Sequence, residues 1–159
     1  MIIEDSIIIN APLDRVWNTF TDLTCWKDWS SVLGDVTAET ETLTEGKRFK
    51  FCLRPFDLPL NVEPIVEEVM LHERIVWSGS KHGIHARHEF IFQPTDTGIL
   101  LQSIETFSGN ILKVFGFAFP VQKMKDLTIL MLNEVKEASE NHYIRPKEGR
   151  ERIWKKKEN

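Results

Sequence analysis

The sequence predicts an α+β fold in which an antiparallel sheet curves around one long C-terminal helix, with two short helices after the first strand. Three observations predict it. From Val36 to Phe107, apolar and polar residues alternate in short runs separated by turn residues. From Pro120 to about Tyr143 no Gly or Pro interrupts a repeat of apolar residues at helical spacing. Between Asn10 and Trp29 the period is also helical, directly behind an apolar strand. The 159 residues fit one domain, over 1–143, followed by a charged tail over 144–159.

The elements follow in chain order. Ile3 to Ile9 is apolar and rich in β-branched residues, a first strand. Asn10-Ala11-Pro12 opens a helix, with Pro12 in its first turn and Asp14 near the positive end of its dipole. Leu13, Val16, Trp17 and Phe20 share one face, and Asp22 ends the helix. Thr24 caps a second short helix with Trp26 and Trp29 on one side. VTAETE alternates from Val36, Glu45-Gly46 turns, and KRFKFCLR sets Phe49, Phe51 and Leu53 on one face. Pro55 to Pro59 breaks that strand; Arg54 to Leu60 reads either as a lid at a cavity mouth or as a plain connection. Asn61 to His72 and Arg74 to Lys81 are extended, Gly83 turns into IHARHEFIF, and Thr95-Asp96-Thr97-Gly98 turns into ILLQSIETF. Ser108-Gly109 ends that strand.

The last helix carries its stripe on Val121, Met124, Leu127, Thr128, Met131, Leu132, Val135 and Ala138. At ~1.5 Å per residue it is on the order of 35 Å long, enough to cross a sheet. A sheet bending away from such a helix leaves interior space. The tryptophan-bearing helices would then close one end and rest on the foot of the long helix.

Composition excludes several classes of function. Hydrophobic residues make up 42% and charged residues 28%, as in ordinary globular domains. The longest apolar run, Ile111–Val121, contains Lys113 and is too short to span a bilayer, so no integral membrane association is expected. Net charge is −4; the tail from Arg145 to Asn159 holds seven Lys/Arg and three Glu, hence +4, which leaves −8 on the body. An acidic body argues against nucleic acid as a partner. The opening MIIEDSIIIN has acids where a signal peptide carries positive charge, so the expected compartment is the cytoplasm, with Cys25 and Cys52 as free thiols. His82, His85 and His88 are three apart and alternate between strand faces, so no metal site is expected. No G-x-S-x-G, Walker or G-x-G-x-x-G motif is present, and no cofactor is expected.

The pattern Ile9-x-Ala11-Pro12-x-x-x-Val16-Trp17-x-x-Phe20-x-Asp22, followed by Trp26 and Trp29, resembles the START-like superfamily, also called SRPBCC. Trp77-x-Gly79, His88-x-Phe90 and Glu105-x-Phe107-x-Gly109 stand in the matching order before the long helix, and the whole is most similar to the polyketide cyclase/dehydrase-like branch. The resemblance covers about Ile2 to Tyr143. It implies the helix-grip (Bet v 1-like) fold, a seven-stranded antiparallel sheet wrapped around the last helix with a cavity between them. It also implies a lipid, polyketide or other hydrophobic ligand, and in some members an enzyme.

Within that frame His88 and Glu105 are the residues of interest. Each sits in an apolar alternating strand, His88 on a face with Phe90 and Phe92, Glu105 with Leu101, Ser103 and Phe107. Inward faces would put both in the cavity, where unpaired charge is costly and a ligand's polar head would be welcome. The expected apolar wall is Phe51, Trp77, Phe90, Phe92, Leu101, Phe117, Met124 and Met131, with His88, Ser103 and Glu105 as orienting polar groups. Three functions stand open: binding of a small hydrophobic molecule, by a monomer or homodimer; a cyclase/dehydrase-type enzyme with His88 or Glu105 as acid/base; and a non-catalytic interaction module like the chaperone activators of the superfamily.

Overall fold

The computed structural model describes residues 1–54 and 59–141. The tail, and Pro55 to Leu58 of the lid segment, lie outside the described residues. The elements are β1 (Ile2–Ile9), α1 (Leu13–Thr21), α2 (Trp26–Trp29), β2 (Thr37–Ala38), β3 (Phe49–Leu53), β4 (Leu60–Val62), β5 (Ile65–Met70), β6 (Arg74–Lys81), β7 (Ile84–Thr95), β8 (Gly98–Ser108), α3 (Asn110–Phe115) and α4 (Val121–Glu140). The fold is the helix-grip: an antiparallel sheet packed on a long C-terminal helix, with the small helices after the first strand.

The wrap differs from one continuous seven-stranded sheet. Five strands pair in the order β1-β8-β7-β6-β5, and β2-β3-β4 form a separate three-stranded sheet. Hydrogen bonds at the corner hold the two together: Gly46 N–H to Val66 O at 2.8 Å, Val66 N–H to Lys47 O at 3.0 Å and Phe49 N–H to Pro64 O at 3.2 Å. Pro64 has no N–H to extend a ladder, so β4 stops before it and β5 starts after it.

The first helix starts as the sequence implies. The Pro12 carbonyl accepts from Arg15 and Val16 N–H, each at 3.1 Å, and Pro12 serves as the cap. The next turn is capped by Asp22 rather than Thr24; its carboxylate accepts the Thr24 N–H at 3.0 Å. Both small helices pack on the C-terminal half of α4, which is pinned at several points. Arg15 donates to the Ser139 carbonyl at 3.3 Å, the Ser31 N–H to Glu134 at 3.0 Å, and the Asn10 N–H to Glu140 at 2.8 Å. Cys25 and Cys52 are not joined in a disulfide, and the Cys25 thiol donates to the Asp22 carboxylate at 3.2 Å.

The tryptophans fill space rather than roof it. Trp17, Phe20 and Trp26 are buried in one cluster with Phe49, Trp77, Phe90 and Phe92. Ring centroids lie 4.6 Å apart for Phe20–Phe90, 4.7 Å for Trp77–Phe90 and 5.0 Å for Trp17–Phe92, in the tilted and edge-on arrangements that aromatic quadrupoles favour. The Trp26 indole N–H donates to the Phe20 carbonyl at 2.8 Å, so its burial leaves no orphan donor. The interior beside α1 and α2 is therefore solid.

Candidate functional site

At the other end the interior is hollow, and the strand residues explain why. Inward positions on β7 run Phe92, Phe90, His88, Ala86, Ile84. The side chains are large beside the aromatic core and shrink past His88. Ala86 pairs with Gly79 on β6 and with Phe107 on β8. Small residues there, beyond the reach of α1 and α2, border a partly open cavity of about 1120 Å³. Its walls come from Phe51 and Leu53 of β3, Val62 of β4, Phe107 of β8, Ile111 and Phe115 of α3, Phe119 before α4 and Met124 at the start of α4.

The polar groups on this wall sit at the boundary between solid and hollow. His88 on β7 is directly opposite Glu105 on β8 in the strand register, and each is 9% exposed. The His88 ring stacks on Phe90 with centroids 4.1 Å apart, which fixes its plane. Its Nε2 is 2.7 Å from the hydroxyl of the fully buried Ser103. Its Nδ1 is 3.8 Å from Glu105 Oε1, too far for a hydrogen bond.

That separation is within ion-pair range, but burial works against charging either group. Burial pushes the Glu105 carboxyl up to about 7 and the His88 imidazole down to about 3. At neutral pH His88 is neutral, and Glu105 is close to the midpoint of its own titration. What faces the cavity is a neutral imidazole and an easily protonated carboxyl, not a salt bridge.

Of the residues expected at the site, the structure brings Phe51, Trp77, His88, Glu105 and Met124 to the cavity. Ser103 lies one layer beneath and reaches the site only through His88. Phe90, Phe92, Leu101 and Met131 lie instead in the solid core, where Phe20 and Trp17 of α1 pack on the first two. Phe117 is 89% exposed on the turn after α3 and points away from the interior. The wall contributions of Ile84, Ala86, Ile111, Leu112, Phe115 and Phe119 were not expected from the pattern. The signal for the first two was present: a Gly and an Ala at adjacent inward positions of neighbouring strands.

His85 is exposed and hydrogen-bonds Ser80 at 3.0 Å, on the opposite face from His88. Among the described residues no group of three or more His, Cys, Asp or Glu side chains is placed to hold a metal ion. No described helix is long and apolar enough to cross a membrane. The lid expectation falls largely on residues outside those described; Leu60, at its edge, does line the cavity.

Comparison with known proteins agrees with this fold. The family model described as polyketide cyclase / dehydrase and lipid transport matches residues 1–127. No curated protein matches by sequence. Among solved structures, the hypothetical protein jhp0584 from Helicobacter pylori is similar at TM-score 0.71 and 19% identity, over 87% of this chain and 88% of that one. The di-domain ARO/CYC BexL from the BE-7585A biosynthetic pathway is similar at TM-score 0.70 and 18% identity, over 92% of this chain and 51% of that one. The di-domain ARO/CYC StfQ from the steffimycin pathway gives TM-score 0.68 and 14% identity, over 87% and 50%. This chain thus spans about half of each di-domain protein, and at these identities the likeness is one of fold.

Proposed function

The chain belongs to the polyketide cyclase/dehydrase and lipid transport family, and from that premise we propose that it binds a small amphiphilic molecule in the cavity between β3–β4, β6–β8 and α3–α4. The apolar body of the ligand lies against Phe51, Phe107, Phe119 and Met124, and its polar group meets His88 and Glu105. One observation carries this reading. Of the polar residues that line the hollow, His88 and Glu105 are the buried ones, held 3.8 Å apart with no hydrogen bond between them, while the charged residues such as Asp35, Lys50 and Glu63 are exposed at its mouth. Buried polar groups are normally satisfied. A ligand hydroxyl or carbonyl between Nδ1 and Oε1 would satisfy both at once, as a polar anchor in an apolar pocket does. The test is native mass spectrometry of freshly purified protein, followed by titration with a lipophilic fluorescent probe. Saturable one-to-one binding that a co-purified lipophile displaces supports the reading; a folded protein with no saturable binding refutes it.

A second reading has its own support. A carboxyl titrating near 7 beside a neutral imidazole is matched to proton transfer at neutral pH. Cyclisation or dehydration of a bound polyketone needs a base to take a proton from carbon and an acid to protonate oxygen. Glu105 and His88 would share those roles. Turnover of a model poly-β-ketone that disappears in both Glu105→Gln and His88→Ala, while probe binding persists, would favour this reading over simple carriage.

A further inference from the structure

The stretch from Asn110 to Val121 has two apolar sides. One faces inward: Leu112 and Phe119 pack with Phe107 and Met124 beside the cavity. The other faces solvent: Val114 is 64% exposed, Phe115 57% and Phe117 89%, with Ile111 and Val121 also exposed. Isolated exposed apolar residues are ordinary on a protein surface. Five within eleven positions, at the rim of an apolar cavity, are not.

The charge around this face is mainly basic. Residues 106–125 contain Lys113, Lys123 and Lys125 and no Asp or Glu, in a chain whose net charge is −4; the exposed Asp126 follows and accepts a hydrogen bond from Gln122 at 2.8 Å. The β6–β7 turn abuts the start of α3, since a Cβ on Gly83 would lie 3.6 Å from the Ile111 side chain. Beside that turn stands Lys81; Arg87, further along β7, is paired instead with Glu67 at 3.1 Å and Glu89 at 3.3 Å. The acids at the cavity mouth, Asp35 and Glu63, belong to the β2–β4 side and each lies against a cation, Arg54 at 3.8 Å and Lys50 at 3.6 Å.

From the union of an exposed apolar face, a fringe in which lysines outnumber acids and direct continuity with the cavity mouth, we infer that the α3 segment docks on an anionic lipid bilayer surface and passes the ligand between bilayer and cavity. Val114 and Phe117 enter the interface, and Lys113, Lys123 and Lys125 lie at headgroup level. Ile111 and Phe115 line the cavity and are also exposed, so they make the apolar path between the two. A lipophile taking that path never crosses water. The ligand-binding reading gives this docking its purpose, while the surface itself is argued independently of it.

The experiment is vesicle co-flotation of the full chain, with phosphatidylcholine alone and with about 30% phosphatidylserine added. Probe binding is measured separately, in solution without vesicles. Binding to the anionic vesicles should exceed binding to the neutral ones and fall as salt rises. The Val114→Glu/Phe117→Glu double variant should lower vesicle partition at least ~10-fold, since burial of two large apolar groups is removed. Its vesicle-free probe affinity should be unchanged, because neither residue lines the cavity. Lys113→Glu/Lys123→Glu should remove the preference for anionic lipid. A wild-type protein that binds probe but no vesicles overturns the docking and leaves the cavity reading intact. Vesicle binding without probe binding does the reverse. A concentration-dependent dimer that the Val114/Phe117 variant dissolves, with no vesicle binding, would assign the face to a second copy of the chain and overturn the proposal.

Discussion

His88 and Glu105 face each other across the β7–β8 pair with Nδ1 3.8 Å from Oε1, and burial disfavours the charged form of each. Their effects on stability have opposite signs. Glu105 is pushed up to about 7 from 4.5, so the native state holds its proton more tightly; this favours the fold below pH 4.5 and is lost as pH rises through 7. His88 is pushed down to about 3 from 6.5, so its contribution is present above pH 6.5 and is lost as pH falls towards 3. Between pH 4.5 and 6.5 the two slopes oppose one another.

Replacing Glu105 by Gln removes one of those slopes. The variant should be more stable than the parent at pH 8, by roughly 3 kcal/mol at most. It should also lose stability more steeply on acidification from 6.5 towards 4.5, since the opposing slope of Glu105 is gone and that of His88 remains. Chemical denaturation across that range checks both statements. Equal stability of parent and variant at pH 8 would mean that the carboxyl is solvated. In the binding assay the same change should weaken a ligand anchored at this pair by roughly 1–3 kcal/mol.

The solid end and the hollow end should respond differently to truncation. Phe20 is fully buried and its ring lies within 6.0 Å of Trp77, Phe90 and Phe92. Phe20→Ala should therefore cost about 3–5 kcal/mol. Met124 is buried but borders the cavity, so Met124→Ala enlarges an existing space and should cost well below the ~2–5 kcal/mol of a packed Met→Ala. Its effect should appear in probe affinity instead. Equal losses of melting temperature would show that the protein has no hollow end.

Much of this fold was legible because period and punctuation agree along the chain. The alternation of His88, Phe90 and Phe92, and of Leu101, Ser103, Glu105 and Phe107, grouped each set on one strand face but left open whether that face is inward; in the structure all of these residues are buried. The extent of the hollow was not legible. Strand period says which face a residue is on, but not what fills the space above it, and that depends on where α1 and α2 lie in three dimensions. Phe90 and His88 have the same phase and neighbouring positions, yet one is packed by Phe20 and the other borders the cavity. The corner at Pro64 was also hidden, since a break between sheets and a short loop within one sheet look alike in sequence. Phe117 misled for a related reason: a large apolar residue before an amphipathic helix reads as core unless its outward direction is known.

Gly109 is the backbone position on which the mouth of the cavity depends. Its φ is 133°, and a Cβ there would lie 2.2 Å from the Gly83 carbonyl oxygen. Both the dihedral and the approach exclude a side chain. Gly109→Ala should destabilise by about 1–3 kcal/mol and separate the β6–β7 turn from α3, which would widen the mouth. Thermal denaturation measures the first effect. Faster probe dissociation relative to the parent measures the second, and an unchanged dissociation rate would argue that ligand does not pass between these two elements.

Ala86 offers the most direct test that the cavity is an empty space. It lies on the cavity wall, beside His88 on the same strand face and across from Phe107. If the space in front of it is unoccupied, Ala86→Phe should place its ring there without moving the backbone. Filling a cavity in this way commonly stabilises by about 0.5–2 kcal/mol. In a packed interior the same substitution forces side chains off their rotamers and costs about 1–3 kcal/mol. The sign of the stability change therefore decides between hollow and solid. The new ring also occupies the space in front of His88 and Glu105, so probe affinity should fall at least ~10-fold, a loss of about 1.4 kcal/mol. A variant that is more stable and no longer binds is the expected result; one that is less stable and binds as before would mean that the ligand lies elsewhere.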